Sequence, residues 1–598
     1  MNTFKVEKRT GTYSDLLETY GLANLLSKIF DRENIPDVDI SISDKGLYYE
    51  IATNIPISDE IMSKLSYFPL FRYIKQKPET DVSQFSDYFD YPVQKEWKKE
   101  RQKLLLQVYS EYSGKEKKSE RDRRIQEVEY IYENEKRIDS ALDIYAQINT
   151  PNNFPSFEKL YQNLSNNKEH FSLFVSEIIH SYGDEHYNSK DFENKIKNLS
   201  FSKTITATQL YNPNQGQGLN KLKADGLNRK NFNSSWINES LKVSGALSDM
   251  ICQLVKVGSS YDLKVFVPEY KQVNYRYKES LMPKFKKHLK GNTPIEIDIL
   301  NILLLIQMVI EHSGFMGRRK KVKDIVAGLH SVYQKDLGQN KAVVNIGFIQ
   351  VPNFIEIGTK EENQIWINIL QEQRQIIGSI KELGDTTQGL LLYRNFISGS
   401  DINSFFKFSY WYAIYLSGQL SNKKYAQAFS IETLNQFYKC MDTNELKLTE
   451  IISDAGFKAV ANAIRESTIV LQTIASLKKQ GKAKDYQLEK LSVYSIRYGI
   501  AQTLQSKSKS TKELAEFIGE FIALYNAETA GKSETKGKSF RANVREDELF
   551  AFYKLLEQSK SSKLVGALLA SYGFALKAKD ATKQDDPEQL DIETENEE

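Results

Sequence analysis

Past Met441 the apolar residues return every three or four positions, and this pattern limits the fold more than any other feature of the chain. Phe457, Val460, Ala461, Ile464, Thr468, Leu471 and Ile474 form one such series, Leu514, Phe517, Ile518, Phe521, Ile522 and Tyr525 a second, and Val565, Leu568, Leu569 and Tyr572 a third. That spacing places each series on one side of an α-helix, whereas a strand would scatter it over both faces. Stripes of this kind must bury against one another, which predicts a helical bundle over residues 441–577. Lys458, Asn462 and Arg465 fall on a face away from the first stripe, and Lys490 and Arg497 share a face of the next helix. Gly531 to Arg541 is rich in Gly, Lys and Ser and reads as a flexible linker. Residues 578–598 are strongly acidic and read as a solvated, disordered tail.

Upstream the pattern is mixed. At 598 residues the chain is too long for one hydrophobic core and should hold two to four domains, with residues 1–440 forming the part before the bundle. Tyr13 to Phe30 has helical spacing, with Thr12 or Ser14 available as its cap. Val38, Ile40 and Ile42 then alternate with polar residues, Asp44-Lys45-Gly46 supplies turn chemistry, and Leu47 to Ile51 returns as the second strand of a hairpin. Residues 88–147 predict a charged helical hairpin broken near Ser113-Gly114, with Lys115, Lys117, Lys118, Arg121, Arg123 and Arg124 as a basic loop at the break. A long polar loop follows between Thr204 and Lys230, then a helix over Ile237–Val255 and a strand over Tyr261–Val267. Leu300 to Ile310 is apolar but short and interrupted by Asn301 and Gln307, a buried helix rather than a membrane span. A second β segment is expected over Ala342–Ile357, and helices from Gln364 onward. The fold class expected is mainly α, with a mixed α+β N-terminal region and a C-terminal helical bundle.

Several function classes find no support in the residues. Two cysteines, Cys252 and Cys440, give neither a disulfide framework nor a cysteine metal cluster, and none of the six histidines pair at helical metal-site spacing. Gly531-Lys532-Ser533 and Gly537-Lys538-Ser539 lack the earlier glycine of a phosphate loop, since Asn526 and Lys532 stand there. Gly216-Gln217-Gly218 lacks the third glycine of a dinucleotide fingerprint. No enzyme, cofactor or metal is expected. The N-terminus has no apolar signal core, so a cytoplasmic location without membrane contact is expected.

What the chain does offer suits a polynucleotide. Lysine and arginine neutralise phosphates and release counterions, and asparagine and glutamine pair with base edges. Asn212, Asn214, Gln215, Gln217, Asn220, Lys221, Lys223, Asn228 and Arg229 lie on one glycine-containing loop and are candidates for base and flanking contacts. Arg318, Arg319, Lys320 and Lys321 are candidates for phosphate contacts, and Lys458, Arg465, Lys490 and Arg497 for tracking a single strand. A surface excursion and a solvated bundle face are the alternatives for these sets.

YNPNQGQGLNKLKADG (Tyr211 to Gly226), followed by a Trp-containing helix, resembles the large subunit of type I CRISPR–Cas effector complexes, the Cascade family, and especially its I-B-like branch. TGTYSDLLETYGLANLLSKIF (Thr10 to Phe30), DAGFKAVANAIREST (Asp454 to Thr468) and YSIRYGIAQTL (Tyr494 to Leu504) resemble that branch as well. Some relatives carry paired Cys-x-x-Cys motifs, which this chain lacks. The resemblance implies a non-catalytic subunit that reads a short protospacer-adjacent motif in duplex DNA, helps open the helix and stabilises the R-loop, while guide RNA reads the remaining sequence. Implied partners are crRNA, target double-stranded DNA, the Cascade backbone, crRNA-processing and small subunits, and a recruited helicase–nuclease or transposition adaptor. The C-terminal bundle then resembles the small subunit, and by the same analogy Met441 is a candidate internal start whose use would release it. A helical scaffold that reads no DNA is the competing expectation.

Overall fold

The computed structural model describes residues 2–85, 87–112, 118–214, 233–313, 319–338, 341–422, 424, 426–536, 539–559 and 561–577. The chain is 58% helix and 14% strand, so it is mainly α with small sheets confined largely to its first half, as the spacing of its apolar residues requires. Its described residues divide into two compact units, one built from residues up to Asn292 with Lys323–Ile349, the other from Thr293–Val322 with residues 350–577.

The first unit begins with β1 (Thr3–Glu7), α1 (Tyr13–Arg32), β2 (Ile40–Asp44) and β3 (Tyr48–Thr53). Thr12 caps α1, its hydroxyl accepting from the Ser14 amide. The hairpin pairs Ile42 with Ile51 across an antiparallel ladder, and Gly46 takes the positive φ of 87° that its turn demands. The charged region folds into α2 (Tyr91–Glu111) and α3 (Lys118–Tyr130), whose small shared core is Leu105, Val108, Val128 and Tyr132. Arg123 and Arg124 lie on α3 and pair with Glu120 and Glu127, so the basic run is helical there and largely neutralised; Lys115 and Lys117 are outside the described residues.

The helix expected to reach Val255 stops sooner. α4 (Trp236–Asp249) gives way to β4 (Ile251–Val257), followed by β5 (Ser260–Tyr270) and β6 (Gln272–Asn274). Ile251, Cys252, Leu254, Val255 and Val257 are apolar at both helical and strand spacing, and pairing with β5 (Cys252 opposite Val265) decides between them. β7 (Val326–Asp336) and β8 (Lys341–Gln350) complete a four-stranded sheet in the order β8-β7-β5-β4, while the hairpin sheet runs β1-β3-β2-β6. β5 is buried almost throughout, with Leu263, Val265, Phe266 and Val267 all covered.

The second unit opens with α5 (Pro294–His312), buried from Glu296 to Ile310, so the apolar run near residue 300 is a core helix. No helix among the described residues is long and apolar enough to cross a membrane. α6 (Lys360–Gly378), α7 (Thr387–Gly399), α8 (Ile402–Ser421) and α9 (Ile431–Cys440) follow. α10 (Ala455–Ser467) and α11 (Ile469–Lys479) carry the first expected stripe, broken at Thr468, whose φ and ψ of −123° and −96° are not helical. Further on come α12 (Ile500–Lys507), α13 (Thr511–Lys536), α14 (Glu546–Gln558) and α15 (Ser562–Gly573). Helices on both sides of Met441 share one core. The rings of Phe405 and Phe437 lie 4.6 Å apart, the Tyr438 hydroxyl meets Ser571 at 2.7 Å, and Tyr572 donates to Asn435 at 2.8 Å.

The expected flexible linker is different in part, because α13 continues to Lys536. The reason lies at its far end. Arg541 is buried, donates to Glu528 at 2.6 Å and sits 4.0 Å from each of the Tyr494 and Tyr525 rings. Asn526 donates to the Val544 carbonyl at 2.7 Å and accepts from its amide at 2.9 Å. These contacts hold residues 541–544 against α13 at Tyr525, Asn526 and Glu528, in the turns just before its lysine- and serine-containing end.

One buried carboxyl in this unit gives it a pH dependence. Glu372 accepts from the Ser430 amide at 2.9 Å, while its other oxygen is buried with no hydrogen-bond partner. Burial pushes its pKa up to about 7 despite the help of Ser430 and Thr433. A folded pKa above the unfolded one means stability is fully present below about 4.5 and falls as pH rises through 7. Urea titrations at pH 5 and pH 8 should therefore show Glu372→Gln gaining about 1–3 kcal/mol on the wild type between the lower and the higher pH. Parallel pH trends in the two proteins would contradict this.

Candidate nucleic-acid interface

The residues flanking the amide-rich segment form a paired stem in the first unit. Thr204–Thr206 pairs antiparallel with Asn233–Ser235, bringing the two ends of the excursion together. Trp236, at the start of α4, packs among Phe174, Phe192 and Phe201 at ring separations of 5.7, 5.9 and 5.2 Å. On the entering side, the Tyr13 hydroxyl donates to the Leu210 carbonyl at 2.6 Å, and Tyr211 is fully enclosed.

Below the stem, α1 and α4 cross without a side chain between their backbones. A Cβ at Gly21 would stand 1.9 Å from the Leu241 carbonyl oxygen, and one at Gly245 would stand 2.0 Å from that of Leu17. Only glycine lets two helices approach so closely. This crossing brings Glu18 and Glu239, both 1% exposed, together with Lys242 at 5%. Glu18 accepts from Tyr182 at 2.7 Å and Asn238 at 2.7 Å, pairs with Arg9, and lies 4.0 Å from the Lys242 ammonium. Burial pushes the Glu239 carboxyl up, while Lys242, Ser234 and Asn212 hold it back.

Asn212 closes this network rather than facing solvent. Its side chain donates to Glu239 at 3.1 Å and to the Thr208 carbonyl at 3.0 Å, and accepts from Lys242 at 2.8 Å and Ser14 at 3.2 Å. With its amide saturated and 1% exposed, it has no group left for a base edge, so the expectation of base contact is corrected to that of an anchor. Asn214 is partly exposed, its Oδ1 enclosed and without a hydrogen-bond partner among the described residues. Gln215, Gln217, Asn220, Lys221, Lys223, Asn228 and Arg229 lie outside the described residues.

The expected phosphate contacts belong to the second unit. Arg318 is outside the described residues; Arg319 is exposed and pairs with Glu362. Lys320 and Lys321 form a short strand against Ile357 and Glu356. The four residues expected to track a single strand are not brought onto one open face. Lys458 is exposed on α10, but Arg465 on the same helix is 8% exposed and donates to Asn462. The helix carrying Lys490 ends at Val493, so Arg497 follows it in a loop, its guanidinium 5.8 Å from the Phe521 ring. Lys490 pairs with Glu466. Seven-residue spacing predicts a shared face only if the helix is continuous, and here it is not.

Reading the sequence for exposed chemistry passed over Glu18, Glu239, Lys242 and Arg541, which hold the architecture. A signal existed in the glycines, since Gly21 and Gly245 stand mid-helix where they cost about 1 kcal/mol relative to alanine unless a close approach requires them. Among the described residues no group of three His, Cys, Asp or Glu side chains is placed to hold a metal ion. No family model matches the chain, and no curated protein matches it.

Proposed function

We propose that the chain is a non-enzymatic DNA-recognition subunit of a type I CRISPR surveillance complex, working in the cytoplasm with crRNA and the partner subunits named above. Its task is to read the protospacer-adjacent motif and help open the duplex. The observation that carries the reading is the anchored stem: in sequence, the amide- and lysine-rich stretch is flanked by the buried Asn212 network on one side and the Trp236 nest on the other. A loop fixed at both ends loses less entropy when it closes on a ligand, so its side chains can deliver more of their binding energy.

Substituting Asn214, Gln215 and Gln217 by alanine in the assembled complex tests this. Each good side-chain–base pair contributes about 1–3 kcal/mol of discrimination, so binding to a duplex bearing the flanking motif should weaken at least tenfold. Binding to a pre-opened bubble should largely persist. Equal loss on both substrates would instead indicate a structural loop. A helical scaffold is the second reading, and a specific observation favours it. Arg319, Arg465 and Lys490, assigned to phosphates from sequence, are engaged by Glu362, Asn462 and Glu466. Under that reading neither substrate responds.

A further inference from the structure

The second unit contains a cleft of about 1100 Å³, larger than a simple surface dimple and roomy for a drug-sized molecule. One wall is a single stripe of α8, Asn403, Phe406, Lys407 and Tyr410, spaced so that all four face one side of the helix. The turn after α12 supplies Ser508 and Lys509, and the first turn of α15 with its cap supplies Ser561 and Lys563. Glu445, Lys447 and Glu450 close the remaining side.

The floor is apolar and the rim is charged. Phe406, Tyr410, Ile451, Leu555, Leu564 and Ala567 are all buried, whereas Lys407, Lys509 and Lys563 are exposed. Lys447 is held by Glu450 at 3.1 Å. The other three lysines make no ion pair with any described residue, and they come from three separate elements of the fold.

Lys563 is the most telling of them. It stands in the first turn of α15, where the positive end of the helix dipole disfavours a cation, and that turn contains no acidic residue to offset it. Ser561 already caps the helix by accepting from the Leu564 amide at 3.3 Å. Three lysines without an ion pair among the described residues and a helix N-terminus thus line one hollow with an apolar floor. Four lysines against two glutamates in the lining, with a helix N-terminus beside them, favour an anion there over a cation.

We propose that this cleft binds the phosphate groups of a nucleotide, either free or as part of a strand. Ammonium groups on flexible stems suit phosphate as point charges, and the apolar floor suits a ribose or base edge. The site lies in a different unit from the loop stem and is separate from the residues assigned to duplex reading.

The test uses the full-length chain without guide RNA or partner subunits, so its outcome does not depend on the recognition role above. Fluorescence anisotropy with a short labelled oligothymidylate, and competition by ATP, would be measured for the wild type and for Lys407→Gln/Lys509→Gln/Lys563→Gln. The triple variant should bind at least tenfold more weakly, with its salt dependence reduced by about two in log–log slope, from about 0.7 per phosphate contact on single strands. Glu445→Gln/Glu450→Gln should tighten binding several-fold. Competition by ATP that vanishes in the triple variant marks free nucleotide as a source of the ligand. Binding of the oligonucleotide without such competition marks the strand. Unchanged affinity for both probes in a triple variant with wild-type melting overturns the proposal. Should that variant melt early, failure of the Glu→Gln pair to tighten binding overturns it instead.

Discussion

Gly21→Val is expected to abolish folding of the first unit, leaving little soluble protein. The added Cβ alone would stand 1.9 Å from the Leu241 carbonyl oxygen, 2.5 Å from its carbon and 2.8 Å from its Cα. All three are backbone atoms of α4, so no side-chain rotation relieves the clash, and the helices must separate. Separation pulls the buried Glu18 carboxylate away from Lys242 and Asn238 on α4, and Ser14 away from Asn212, leaving buried polar groups without partners. Breaking a buried ionic network costs about 3–5 kcal/mol, and overpacking adds about 1–3, against a total stability of about 5–15 for a domain. Gly378→Ala is the control. That glycine ends α6, and a methyl carbon added there would meet nothing within 4 Å, so alanine should shift the urea midpoint only slightly. Near-normal yield and stability for Gly21→Val would refute the close crossing.

Cutting the chain before Met441 carries the next largest effect. A fragment of residues 441–577 is expected to be molten or insoluble when expressed alone. α15, the last helix of the expected bundle, is buried from Leu564 to Gly573, and part of its cover comes from before the cut. Tyr438 stacks on Tyr572 with ring centroids 5.9 Å apart, and Tyr410 donates to the Lys563 carbonyl at 3.5 Å. At Gly566 an added Cβ would lie 2.6 Å from the Tyr410 hydroxyl, so α8 lies close against α15 there. Leu576 also pairs backbone with Phe429 and Ile431, at 2.9 and 3.0 Å. Removing α8 and α9 exposes several large side chains at about 1.5–3 kcal/mol each, comparable with the stability of a whole domain. The expected readout is loss of cooperative thermal unfolding with helical circular dichroism partly retained. A fragment that melts cooperatively would show that the bundle stands alone, and would favour an internal start at Met441.

The helices were legible because their signal is local. Tyr13 to Arg32 and the stripes at Phe457, Leu514 and Val565 each carry their periodicity within a few turns, and capping residues such as Thr12 mark the ends. The Asp44-Lys45-Gly46 hairpin turn was equally plain, since few residues besides glycine accept its backbone angles. Where local signals tied, partners decided. Ile251–Val257 became a strand because β5 lies beside it, and Gly531 to Lys536 stayed helical in α13, whose neighbouring turns Arg541 and Asn526 hold.

The candidate site divided along the same line. From the sequence alone came the residue types suited to phosphates and bases and the loop that carries most of them. Tertiary structure decided which side chains are free to use that chemistry. It enclosed Asn212 and Arg465, paired Lys490 and Arg319, and left Lys407, Lys509 and Lys563 around one cleft. The physical reason is that charge and hydrogen-bonding capacity belong to a residue, whereas exposure and partnership belong to the elements that meet around it; here those meetings join positions more than a hundred residues apart, as with Ser14 and Asn212 or Tyr438 and Ser571.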